Sequence, residues 1–245
     1  MAVIAVYSVK GGVGKTTIAA NLSWCAAALS KRQTLLWDLD AAGGAGFLFG
    51  VDPRKKDQAL SIFSQKSQPD ELVWASGVDN LDILPADESL RSLDSFLVTL
   101  GKRKRIDKLA QALSKDYDRI ILDCPPVLNE LSAQTIRASD LIIVPLPPSP
   151  LSSRAFDTVV RELRTNHKQH PPILPVLSMF DSRRKIHKEV RDASPDWPII
   201  PMASVVEQMG VRREPLGCYA PNSPAGQAFA KLWVAIERKL AKAGG

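Results

Sequence analysis

Cysteine, histidine and aromatic residues are all scarce in this 245-residue chain, and long apolar runs are missing. The three cysteines, Cys25, Cys124 and Cys218, are odd in number, far apart and form no C-x-x-C pair. That argues against a disulfide framework or a zinc site and for a reducing cytoplasm. The longest apolar runs, such as residues 2–7, fall far short of the ~20 residues a membrane-spanning helix needs. Residues 1–8 are too short for a secretory leader and run directly into a glycine loop. What is present is ordinary for a globular protein: 45% hydrophobic and 24% charged residues, which exclude a disordered or fibrous chain. The net charge of +6 favours acidic partners such as nucleic acid or an anionic lipid surface.

Residues 2–8 form a near-continuous apolar run, the pattern of a strand buried on both faces. Further strands are expected at 34–38, 81–85, 118–123, 141–145, 173–178 and 198–200. Helical patterns fall at 16–29, 106–113, 152–163, 185–192 and 225–240. Strands alternating with helices of this length predict βαβ units. The expected fold class is therefore α/β, a doubly wound and mostly parallel sheet with helices on both faces. Residues 41–80 carry only weak periodicity. With no internal repeat or low-complexity linker, one domain over residues 1–245 is expected.

The chemistry concentrates at Lys10-Gly11-Gly12-Val13-Gly14-Lys15-Thr16-Thr17. A strand, a glycine turn and a helix start present backbone N–H groups and the positive end of the helix dipole to an anion. In a phosphate loop Lys15 reaches the β- and γ-phosphates and the Thr16 hydroxyl ligates Mg²⁺. Val9 stands where the generic G-x-x-x-x-G-K-[ST] pattern has its first glycine, and a second lysine, Lys10, precedes the glycine pair. A Rossmann fingerprint is disfavoured, because it needs a glycine where Thr17 stands.

This motif resembles that of the ParA/MinD family of deviant Walker A ATPases, and more closely its ParA branch. The resemblance extends over nearly the whole chain and implies a P-loop NTPase fold with ATP and Mg²⁺ as ligands. It also implies an ATP-sandwich dimer in which Lys10 crosses the interface to the partner's nucleotide. Trp37-Asp38-Leu39-Asp40 looks like the family's D-x-D element, implying that Asp40 is the hydrolytic residue and Asp38 a metal-shell residue. The proline and glutamine that usually follow it are replaced by Ala41 and Ala42. The strand at 120–122 ends in Asp123, the Walker B arrangement, where a carboxylate holds a Mg²⁺-bound water. Cys124 beside it reads as a small buried residue. By the same resemblance Phe180, Asp181, Pro201 and Met202 are candidate adenine neighbours.

Basic residues cluster at 183–191, at Arg212 and Arg213, at 238–242 and at 102–105. In the ParA branch a basic surface of the ATP-bound dimer binds DNA without sequence preference. The resemblance makes Arg183, Arg184, Arg212, Arg213 and Arg238 the candidates here. No aromatic residues interleave these clusters in sequence, so base stacking is not expected. The implied function is an ATPase that segregates or positions a plasmid, chromosome or protein organelle. It would be cytoplasmic and nucleoid-associated, and would answer to a ParB-like adaptor that stimulates hydrolysis. With the first strand expected from Ala2, no preceding helix-turn-helix domain is expected. The alternative is a MinD-like membrane-surface ATPase, with the apolar stripe Phe229, Leu232, Trp233, Ile236 and Leu240 as its anchor. That stripe reads more simply as a packing face.

Overall fold

The structure, a computed structural model, describes residues 1–51, 59–101, 104–166 and 170–243. Strand β1 (Ala2–Val6) shows why a continuous apolar run suits the centre of such a sheet. Successive side chains point to opposite faces. Val3 and Ala5 enter one core cluster, while Ile4 and Val6 enter the other. Strands β2 (Thr34–Asp38), β5 (Arg119–Asp123) and β6 (Leu141–Leu146) are buried in the same way. With β3 (Trp74–Ala75), β4 (Leu81–Leu84), β7 (Ile173–Phe180) and β8 (Ile199–Pro201) they form one sheet ordered β3-β4-β2-β5-β1-β6-β7-β8. Every pairing is parallel except β3 with β4.

Helices cover both faces. Helix α1 (Lys15–Trp24) continues as a π-helical turn at Cys25–Leu29 and packs with the last helix over one face. Between β2 and β5 lie α2 (Gly44–Leu48), α3 (Ala59–Phe63), α4 (Leu93–Leu100) and α5 (Arg105–Leu113). Helices α4 and α5, together with α6 (Glu130–Ala138) and α7 (Pro150–Asn166), cover the opposite face. The C-terminal part adds α8 (Lys185–Ala193), α9 (Ser204–Glu207), α10 (Met209–Arg212), α11 (Leu216–Tyr219) and α12 (Pro224–Ala243). This is the doubly wound α/β architecture, with β1 at the point where the crossovers reverse direction. The crevice at the C-terminal ends of β1, β2 and β5 is where such sheets bind ligands.

Several expectations are revised. The helix at 16–29 begins one residue earlier and relaxes into the π-helical turn at Cys25. The stretch 41–80 contains α2, α3 and β3, and helices α4 and α6 occupy segments where none was expected. Helix α6 is set by its start: Asn129 accepts from the Ser132 N–H while Ser132 Oγ accepts from the Asn129 N–H, a capping box. The stripe on α12 is a packing face, with Phe229, Leu232, Trp233 and Ile236 buried in the core and Trp233 Nε1 donating to Ser30 Oγ at 2.7 Å. Among the described residues no helix is long and apolar enough to cross a membrane.

Candidate nucleotide-binding site

The loop leaving β1 turns through Gly12 (φ 69°) and Gly14 (φ 89°), left-handed conformations that residues with a Cβ adopt at a cost. Gly14 is the N-cap of α1 and provides no side-chain cap, and the first helical turn carries no acidic residue. The N–H groups at this helix start, uncapped by any side chain among the described residues, are therefore available to an anion. Lys15 is buried, and its ammonium donates to the Lys10 carbonyl at 3.4 Å, which folds it back along the loop. Burial lowers its pKa, while the nearby Asp123 and Asp40 carboxylates pull the other way. Lys10 behaves differently. Its ammonium leaves its own loop and donates to Ser152 Oγ at 3.3 Å, at the start of α7.

Sheet register brings the acidic residues to this loop. Asp38 and Asp123 are direct neighbours across β2 and β5, and Asp123 is level with Val6, the last residue of β1. Asp38 is fully buried, and its two carboxylate oxygens accept from the Asp40 N–H (3.0 Å) and the Ala45 N–H (2.9 Å). Burial and the Asp123 carboxylate push its pKa well above the usual range, against those two hydrogen bonds. In this arrangement Asp38 shapes the loop that carries Asp40 and starts α2. Asp40 is only half-buried, and its Oδ1 accepts from the Ala42 N–H at 3.1 Å. The alanine pair after it thus still closes a compact turn.

Asp123 is the exception to the rule that buried polar groups are paired. Both of its oxygens are buried, and among the described residues neither makes a hydrogen bond of good geometry. Burial pushes its pKa up to about 7, against the adjacent Thr16 hydroxyl and the Lys15 ammonium. A hydrated divalent cation beside Thr16 would satisfy this carboxylate, so the residues present fit Mg²⁺. Cys124 next to it is buried, and burial raises its thiol pKa. Tyr7 donates its hydroxyl to the Val127 carbonyl at 2.8 Å, anchoring the loop that follows Asp123.

A cleft beside the loop is lined by Gly14, Thr17, Met179, Pro201, Met202 and Glu207, among others. Two of the four candidate adenine neighbours, Pro201 and Met202, lie on it. Phe180 and Asp181 do not line it. Met179 has a left-handed backbone (φ 53°), which brings its own side chain to the loop, 3.6 Å from where a Gly14 Cβ would stand. Phe180 is buried instead, with its ring against His187. Asp181 is bound by Arg183 at 2.9 Å and Arg184 at 3.5 Å, and Arg183 holds its carboxyl well below the usual range. No sequence signal marks Met179, since methionine gives no hint of a left-handed backbone.

The basic candidates do not stand alone either. Arg183 and Arg184 share Asp181, and Arg238 is exposed on α12. Arg212 sits over the Tyr219 ring at 4.6 Å and 3.6 Å from a Glu214 oxygen, and Arg213 sits over the Phe47 ring at 4.6 Å. Aromatic residues absent from these clusters in sequence are thus supplied by the fold. Of the cluster at 102–105, Lys102 and Arg103 lie outside the described residues. Arg105 is buried and donates to the Ile62 and Phe63 carbonyls at 2.7 and 2.9 Å, so it caps α3 and is no surface charge.

The family model described as "AAA domain" matches residues 1–176. The chain is 31% identical over 197 residues to the chromosome partitioning protein ParA of Myxococcus xanthus, covering 77% of this chain and 68% of that protein. The chain belongs to the ParA/MinD family of deviant Walker A ATPases. It is also 28% identical over 243 residues to the sporulation initiation inhibitor protein Soj of Bacillus subtilis, covering 94% of this chain and 96% of Soj. Solved structures agree on the fold. An ATP complex of McdA from Cyanothece superposes with a TM-score of 0.82 at 19% identity, covering 98% of this chain and 96% of that one. The septum site-determining protein MinD of Pyrococcus horikoshii, complexed with Mg-ADP, gives 0.79 at 23% identity over 99% and 98% of the two chains. The fold is thus of the P-loop NTPase type, in a family whose members are ATPases.

Proposed function

We propose that this chain is a ParA-like positioning ATPase whose ATP-bound pair of copies holds DNA without sequence preference and releases it on hydrolysis. The observation that carries this reading is the division of labour between the two loop lysines. Lys15 folds onto its own loop, whereas the Lys10 ammonium reaches out of it to Ser152, a hydrogen bond it would exchange for the nucleotide of a facing copy. The backbone N–H groups at the start of α1 hold the phosphates, and Lys15 neutralises their charge. Asp123 and Thr16 would hold Mg²⁺, which supplies electrostatic stabilisation of the phosphoryl oxygens. Asp40 orients the attacking water, and Asp38 fixes the loop that carries it. The base lies in the cleft between Met179 and Met202.

Arg212, Arg213, Arg183, Arg184 and Arg238 supply the polyanion surface, with DNA of the nucleoid as partner in the cytoplasm. A ParB-like adaptor on the cargo stimulates hydrolysis. The stripe on α12 that the membrane-surface alternative would use as an anchor is buried against the sheet, which favours the DNA reading. Retention of random-sequence duplex DNA with ATP, ADP and no nucleotide tests the reading. ATP should give the tightest binding, and the affinity should fall steeply with salt because phosphate contacts dominate. Binding that is equal in all three states contradicts it.

A further inference from the structure

Helix α2 touches the nucleotide loop at one end and the basic segment at the other. At its start the Ala45 N–H donates to Asp38 at 2.9 Å. Gly44 packs so closely on Thr16 that a Cβ there would come within 3.3 Å of the threonine methyl. One turn on, Phe47 stays 48% exposed, with the Arg213 guanidinium 4.6 Å from its ring centroid. Arg213 reaches that ring from a left-handed backbone, φ 54°, which a non-glycine residue adopts only when its surroundings hold it there. The same segment is bound from its other side by α1. Asn21, buried on that helix, donates to Met209 Sδ at 3.2 Å and accepts from the Leu216 N–H at 3.0 Å.

A half-exposed phenylalanine contributes little to a core. Its contact with Arg213 is the use the structure gives it, because a guanidinium over an aromatic face is both attracted and oriented. Resting on the function proposed above, we propose that the Phe47–Arg213 stack couples the nucleotide site to the polyanion surface. Helix α2 follows the arrangement of Thr16 and Asp38, and Phe47 passes that arrangement to Arg213. Phe47 is a positioning residue here and touches neither nucleotide nor DNA. Coupling of this kind is reciprocal, so DNA raises the affinity for ATP by the same factor that ATP raises the affinity for DNA.

The test uses the full chain and its Phe47→Ala and Phe47→Tyr variants, with random-sequence duplex DNA as probe. DNA affinity is measured with ATP and with ADP, ATP affinity with and without DNA, and mass in ATP by light scattering. The expected wild-type ratio of DNA affinities lies in the ~5- to 150-fold range of typical coupling. Phe47→Ala should lower that ratio, and its reciprocal on ATP, several-fold, leaving only the part that pairing itself contributes. Pairing in ATP and ATP affinity without DNA should stay unchanged, and Phe47→Tyr should restore both ratios. A Phe47→Ala protein that keeps the full ratio overturns the inference and leaves the proposed function standing. One that no longer pairs in ATP also overturns it, since Phe47 would then belong to the pairing surface. A wild type that does not prefer DNA in the ATP state sinks both.

Discussion

Among the described residues Asp123 is a buried carboxylate that makes no hydrogen bond of good geometry, and Asp38 one that makes two, although the strands place them side by side. That contrast separates their roles. Asp38 is committed to backbone N–H groups and organises the turn, whereas Asp123 is left with unmet polar capacity of the kind a hydrated cation supplies. Asp40, the half-exposed member of the trio, has room to hold a water. Asp40→Ala should therefore lower ATP turnover by about 10²-fold or more, the scale of lost acid–base or water-positioning groups, while ATP still binds. Steady-state hydrolysis and fluorescent-nucleotide titration measure the two quantities. Turnover within twofold of wild type would remove Asp40 from this role, given the effect expected of such groups. These residues were legible because each sits in a contiguous motif at the end of an apolar strand. Met179, Ser152 and Phe47 were not legible, because their contacts depend on where crossovers deliver distant segments. Ser152, for example, meets Lys10 from 142 positions away.

At the level of elements, the central strands were readable because a parallel strand buried on both faces has no polar side to confuse the pattern. Helices α4 and α6 were not. Helix α4 is short, and although Leu93, Phe96, Leu97 and Leu100 fall at helical spacing, the exposed Val98 extends the apolar run beyond that face. Helix α6 buries Ser132, Gln134 and Thr135, polar residues that find partners locally or in the start of α5 and so mask its periodicity. Helix α12, by contrast, carries a full stripe and covers the sheet with it. Its Trp233 is 1% exposed and hydrogen-bonded to Ser30. Trp233→Ala should cost about 3–5 kcal/mol of stability through the cavity it leaves, read from urea unfolding midpoints. A loss below ~1 kcal/mol, the scale of a surface substitution, would mean that α12 is not docked as described.

The whole molecule joins two surfaces around one crevice. Lys10 meets the buried Ser152 at the start of α7, while Arg212 and Arg213 are carried by a segment tied to α1 and α2. Such a layout suits a switch in which one ligand sets both the pairing of copies and the orientation of a basic surface, so that ATP shifts a population between two assemblies. The sequence made the fold class and the phosphate loop legible because both rest on local patterns. The proposed route from the nucleotide loop to Arg213 was hidden because it would run through side-chain packing of short helices with no periodicity of their own.

The claim on which the account depends is that two copies close on ATP through Lys10. The most direct test is the solution mass of the Asp40→Ala protein in saturating Mg-ATP, with and without a second substitution, Lys10→Ala. The account predicts twice the protomer mass for Asp40→Ala and the protomer mass once Lys10 is also replaced. A single-copy mass for Asp40→Ala, or a pair that persists without Lys10, would contradict it.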